Sequence, residues 1–220
     1  MKKDSERSLT KVQHALLFTT ILMVVMAVFA LACIILYQLA YVSYDQFYFM
    51  ANAGIELAFL VSAFLYLRFT ARGTASALGL GRKGISQKNV ALGLLVFMAI
   101  LVLELIVSLI SQVTGVPIST NVSAVFAGAP LWFLFFSVVV APVCEEVLFR
   151  GLMVPRIGIV VSALLFAAMH AGYDSTFAVE VLAALVFGLI AGYVFKKTES
   201  LYPSMLAHVL VNATAVLLTF

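Results

Sequence analysis

Long apolar runs separated by short polar gaps dominate this chain, and the runs have the length of membrane crossings. A spanning helix needs about 20 mainly apolar residues. Seven stretches qualify: residues 14–37, 47–67, 90–113, 131–154, 157–171, 176–195 and 201–220. The fifth is short enough to be tilted, or to cross only part of the way. The runs are continuous rather than alternating at every second residue, which argues against a transmembrane β-barrel. The pattern predicts an all-α, polytopic transmembrane helical bundle of about seven spanning helices, without an internal repeat. Residues 1–13 read as a basic tail and 14–220 as a single transmembrane domain. The first run is too long for a signal-peptide core of about 7–15 residues, so it is expected to be retained.

Composition agrees: 64% of residues are hydrophobic and 10% charged, against about 25% charged in soluble domains. All thirteen Lys and Arg fall in the tail or in 68–89, 150–156 and 196–200, and none in 38–46, 114–130 or 172–175. Basic residues collect on the cytoplasmic side, so the N-terminus is expected inside the cell and the C-terminus outside. Because the basic residues belong to loops, the net charge of +3 signals no nucleic-acid partner. Trp132 and the tyrosines lie near predicted helix ends, as an aromatic belt would. Cys33 and Cys144 sit in separate apolar runs and read as buried thiols rather than a disulfide. Asn121-Val-Ser123 has the form of a glycosylation acceptor but no established compartment to support it.

The polar residues left inside the runs carry the functional signal. They include Glu56, Glu104, Glu145, Glu146, Glu180, His170, His208, Asn52 and Asn212. A charge in hydrocarbon is costly, so such residues face a bundle interior or water and mark function. Glu146 and Arg150 are four apart and can pair on one helix face. Glu145 is turned about 100° from Glu146 and is expected to point elsewhere. His208 and Asn212 share a face of the last run, and Phe166 and His170 a face of the fifth. Counted from the predicted cytoplasmic ends, Glu145, His170, His208 and Asn212 lie roughly 10–20 Å deep. They are expected to converge on a wetted hollow open toward the cytosol. Pro142, one turn before Glu145, loosens the helix and can free a carbonyl to face water. Glu56 and Glu104 belong to no motif and suit a structural or proton-linked role. Glu180 reads as interfacial, and His14 as juxtamembrane without a special role.

Two hydrolytic routes fit. In one, Glu145 helped by His170 deprotonates water, while His208 and the Asn212 amide donate to a developing oxyanion. In the other, a divalent ion such as zinc, held by His170, His208 and Glu145, activates the water. No His-Glu-x-x-His helix signature is present. Spacing does not separate the routes.

These residues resemble the intramembrane CAAX-protease and bacteriocin-processing protease family, also called the Abi family. Its motifs Glu-Glu-x-x-x-Arg, Phe-x-x-x-His and His-x-x-x-Asn read here as Glu145-Glu146 with Arg150, Phe166 with His170, and His208 with Asn212. The likeness covers about residues 130–220, where Phe187-Gly188 and Ser200-Leu-Tyr-Pro203 also look like the family. The stretch between Arg150 and Phe166 looks shorter than usual. The resemblance implies a membrane endopeptidase, commonly labelled a metalloprotease, for which a metal-free glutamate mechanism is also argued. It implies Glu145 as general base, His170 as its partner, His208 and Asn212 at the oxyanion, and Glu146, Arg150 and Phe166 as support. The expected partners are the lipid bilayer and a peptide or membrane-protein substrate, in a bacterial cell membrane. The rival readings are a non-catalytic immunity or scaffold member of the same family, and a proton-coupled transporter prompted by Glu56 and Glu104.

Overall fold

The computed structural model describes residues 10–70, 75–115, 126, 128–172 and 177–218, with the side chains of 11, 12, 83 and 177–180 left out. Most of the basic tail, the Asn121–Ser123 pattern and the Glu180 side chain therefore lie outside the described residues. The described residues hold no strand. Their helices are α1 (Lys11–Gln38), α2 (Tyr44–Phe69), α3 (Gln87–Thr114), α4 (Leu131–Ile157), α5 (Ile159–Met169), α6 (Phe177–Thr198) and α7 (Tyr202–Leu217). Five of these are long and apolar enough to cross a membrane, whereas α5 has 11 residues and α7 has 16. The chain is a multi-pass helical membrane protein.

Its contacts fall into two compact units, Met1–Arg72 and Gly73–Phe220. The first is a hairpin of α1 and α2. Each helix starts at a reciprocal cap, Thr10 with Gln13 and Ser43 with Gln46, which satisfies backbone N–H groups that helix starts leave unpaired. Tyr66 is fully buried, and its hydroxyl lies 2.7 Å from His14 Nδ1. His14 is thus not merely juxtamembrane: it ties α1 to α2. Asn52 satisfies its amide within its own helix, donating to the Tyr48 carbonyl at 2.8 Å.

In the second unit α3 packs along α7 and α5 along α6. Small residues allow this: a Cβ on Gly93 would fall 2.8 Å from the Pro203 carbonyl, and one on Gly188 3.0 Å from Ala163. A strap built on two 3₁₀ turns, Ala75–Leu78 and Arg82–Gly84, precedes α3. Its carbonyls take the Leu201 N–H on Gly79 (3.1 Å), the Tyr202 hydroxyl on Leu80 (3.2 Å) and the Asn89 amide on Gly84 (2.7 Å). Leu78 is fully buried, with its carbonyl close against Gly151.

The fourth helix is continuous but not uniform. It runs as α over Leu131–Phe135, widens to π over Phe136–Val140, returns to α over Ala141–Glu145, and widens again over Glu146–Met153. Pro142 has no N–H to continue a regular ladder, and wide turns of this kind recur at functional sites. The helix stops at Gly158, whose φ of 86° suits glycine and starts α5 in a new direction.

Candidate active site

Glu145 ends the short α stretch of α4 and Glu146 begins its second wide stretch, so the carboxylates sit where the backbone changes pitch. Glu146 and Arg150 are fully buried and form the expected ion pair, at 3.1 Å. The guanidinium carbon stacks 4.1 Å from the Phe166 ring centroid and 5.2 Å from that of Phe187. Aromatic faces partly replace the water that the cation has lost. Arg150 Nη2 has no hydrogen-bond partner, so burial is only partly compensated.

His208 joins the two carboxylates. Its Nδ1 lies 3.1 Å from Glu146 Oε1 and its Nε2 lies 3.4 Å from Glu145 Oε2. The expectation that Glu145 points away from its neighbour is therefore corrected. Carboxylates diverging on a helix can still close on opposite nitrogens of one imidazole placed between them. A carboxylate paired with arginine offers only acceptors, so the nitrogen facing Glu146 is the one that carries the proton. In the neutral ring Nε2 is then the lone-pair atom, and it faces Glu145.

His170 is half-buried at the end of α5, with Nδ1 2.9 Å from the Phe166 carbonyl. A carbonyl also selects the Nδ1–H tautomer. The Phe166 ring packs against both imidazoles, its centroid 4.6 Å from that of His170 and 5.8 Å from that of His208. The structure thus brings Glu145, Glu146, Arg150, Phe166 and His208 into direct contact and holds His170 against the same ring. Asn212 is placed differently: its amide donates to the Ser137 carbonyl of α4 at 2.9 Å.

The alternative metal set of His170, His208 and Glu145 is not assembled. Among the described residues no three His, Cys, Asp or Glu side chains converge as an ion-holding group, and His208 meets a carboxylate at each ring nitrogen. The described donors are therefore not gathered into a metal-holding group. Cys33 and Cys144 are buried and are not joined in a disulfide. The strap before α3 lies against Gly151 and Leu201. Within the cluster, exposure is concentrated at Glu145, whose side chain is 13% accessible against 6% for His208.

Two contributors went unassigned in the sequence. Ser162 is buried on α5 and donates to the Phe149 carbonyl at 2.6 Å, which already takes the Val154 N–H. It stands four residues before Phe166, on the same face, and that spacing was its available signal. Phe187 packs 4.7 Å from the His208 ring centroid. Its one mark in the sequence was the family-like Phe187-Gly188 pair, which assigned it no role.

A multi-pass helical membrane protein with one buried cluster of carboxylates, imidazole and arginine is the class that these observations define. Residues 127–214, which contain all of that cluster, match the family model described as Type II CAAX prenyl endopeptidase Rce1-like, so this part of the chain is similar to that family. It is also similar to the uncharacterized protein YpbD of Bacillus subtilis (strain 168), with 28% identity over 89 residues, 40% of this chain and 47% of that protein. The chain thus spans about half the length of the curated relative it matches. No solved structure matches it.

Proposed function

We propose that the protein is an intramembrane endopeptidase that hydrolyses a peptide bond of a membrane-associated peptide or protein, in a bacterial cell membrane. The observation that carries this reading is the clasp of His208 between Glu145 and Glu146. Arg150 holds Glu146, Glu146 holds the His208 tautomer, and His208 Nε2 faces the most accessible carboxylate of the cluster. The order parallels an acid–imidazole–base relay, in which the buried acid orients the ring and does not itself react. Glu145 takes a proton from water, and the hydroxide adds to the scissile carbonyl carbon. The proton is shared with His208 Nε2 and passed to the leaving nitrogen as the C–N bond breaks. His170, held against the Phe166 ring, assists at the substrate. This departs from the expected pairing of Glu145 with His170, and it makes His208 a proton carrier. No step uses a metal.

The test compares membrane peptides in cells carrying the wild-type protein and the Glu145→Gln variant. Loss of a general base of this kind lowers turnover by about 10²–10⁴-fold. Uncleaved precursors should accumulate in the variant while its abundance and membrane insertion stay unchanged. Identical peptide profiles would sink the hydrolase and leave the non-catalytic scaffold reading in its place.

A further inference from the structure

Asn212 is expected by its motif to donate to an oxyanion, yet its amide is already committed to the backbone of α4. The choice of acceptor is informative. In the wide stretch of α4, the Ala141 N–H reaches back five residues to the Phe136 carbonyl. The next donor in that ladder would be the N–H of residue 142, reaching the carbonyl of Ser137. Residue 142 is proline and has none. In a medium without water to replace it, a carbonyl left unpaired is expensive, and neighbouring helices supply the missing donor at prolines. Asn212 reaches Ser137 at 2.9 Å from α7.

We propose that Asn212 is a positioning residue: a clip that fills the acceptor orphaned by Pro142 and so fixes the register of α7 against α4. The clip sits one turn from His208 on α7 and eight residues before Glu145 on α4. Sliding either helix would alter the 3.4 Å approach of His208 Nε2 to Glu145. A second side-chain bond reaches α4 within its second wide stretch, where the Ser162 hydroxyl donates at 2.6 Å to the Phe149 carbonyl, an acceptor that also takes the Val154 N–H. The widened helix is thus pinned from α5 and from α7, and the Glu145-Glu146 pair lies between the pins. The catalytic consequence rests on the hydrolase reading above; the clip itself does not.

A double-mutant cycle separates a clip from an oxyanion donor. Asn212→Leu removes the donor at similar volume, and Pro142→Ala restores a backbone N–H that can take over. In purified protein in detergent, Asn212→Leu should lower the melting temperature by about 2–4 °C. In the Pro142→Ala background the same change should lower it by less than about 1 °C. Infrared spectra of ¹³C-serine protein, with Ser137→Ala as the subtraction control, should show the Ser137 carbonyl band move to higher wavenumber in Asn212→Leu alone. Turnover of a quenched-fluorescence library of apolar peptides should fall about tenfold or more in Asn212→Leu, with kcat falling and KM unchanged. Pro142→Ala should recover most of that loss. An equal loss of turnover in both backgrounds would overturn the clip and return Asn212 to the substrate. So would equal thermal shifts in both backgrounds, or an unmoved Ser137 band. Should the wild type cleave nothing, the hydrolase reading fails, and the thermal and infrared results still decide the clip.

Discussion

The two compact units use polar groups in opposite ways. In the α1–α2 hairpin the contacts that tie polar side chains to the helix ends are the two caps and the Tyr66–His14 bond. Further in, the hairpin has a cleft of about 320 Å³ lined by apolar residues such as Met23, Ala27, Phe29 and Gly54, while α2 also carries Glu56 and the fully buried Ser62 near its middle. In the Gly73–Phe220 unit the polar groups lie in the middle of the helices, and α4 gives up regular hydrogen bonding to hold them. A membrane helix has no need of buried charge for stability, because lipid already satisfies its apolar surface and its backbone is paired internally. The Gly73–Phe220 unit accepts such a burden with the fully buried Glu146–Arg150 pair, and it is where the proposed hydrolysis is placed. The difference predicts that polar deletions in the second unit damage fold and function together, whereas those in the first do neither to any large extent.

The largest effect is expected at Arg150. Truncating one member of a buried ion pair leaves the other uncompensated, a loss of about 3–5 kcal/mol. Arg150→Ala should therefore destabilise the protein by that amount, measured by reversible denaturation in bicelles, and the aromatic stack on Phe166 should collapse with it. Replacing both partners by apolar residues, Arg150→Met with Glu146→Leu, should restore most of the stability. It should not restore peptide cleavage, because His208 would lose the group that sets its tautomer. A stable Arg150→Ala protein would show that the pair does not hold this unit together. Next in size is Ser162→Ala, which unpins the second wide stretch. Hydrogen bonds between membrane helices average about 0.6 kcal/mol and reach about 1.7, and this one is short and buried, so about 1 kcal/mol is expected. A loss above 3 kcal/mol would make Ser162, not Arg150, the main support of α4.

The spans were legible because a bilayer imposes one length on every crossing, so a count of apolar residues found α1 to α4 and α6, and flagged α5 as short. The Glu146–Arg150 pair was legible from its four-residue spacing. Convergence of α4, α5 and α7 was legible from the cost of leaving Glu145, His170 and His208 in lipid. What could not be read was which partner each group takes. Helical spacing orders residues along one face, but the choice of His208 over His170 by Glu145 depends on where α7 crosses α4. Pro142 announced a freed carbonyl; that an amide rather than water would fill it depends on the same crossing. The widened turns of α4 were invisible for a related reason, since their α-like spacing conceals a ladder that reaches one residue further back.

The smallest effect should come from the first unit, and it is the sharpest check on the contrast. Tyr66→Phe removes the hydroxyl that meets His14 Nδ1 but keeps the ring, which also packs edge-on against Phe18 at 5.8 Å. The apolar contact therefore survives, and only the hydrogen bond is lost. His14 lies at the start of α1, near the membrane edge by its place in the sequence, where water can replace the lost partner far more readily than at mid-span. The expected change is about 0.6 kcal/mol or less, with peptide cleavage unchanged. A loss comparable to that of Arg150→Ala would mean that the hairpin, too, depends on a polar core. Loss of cleavage at full stability would mean that this unit takes part in the chemistry, and the division of labour between the units would have to be abandoned.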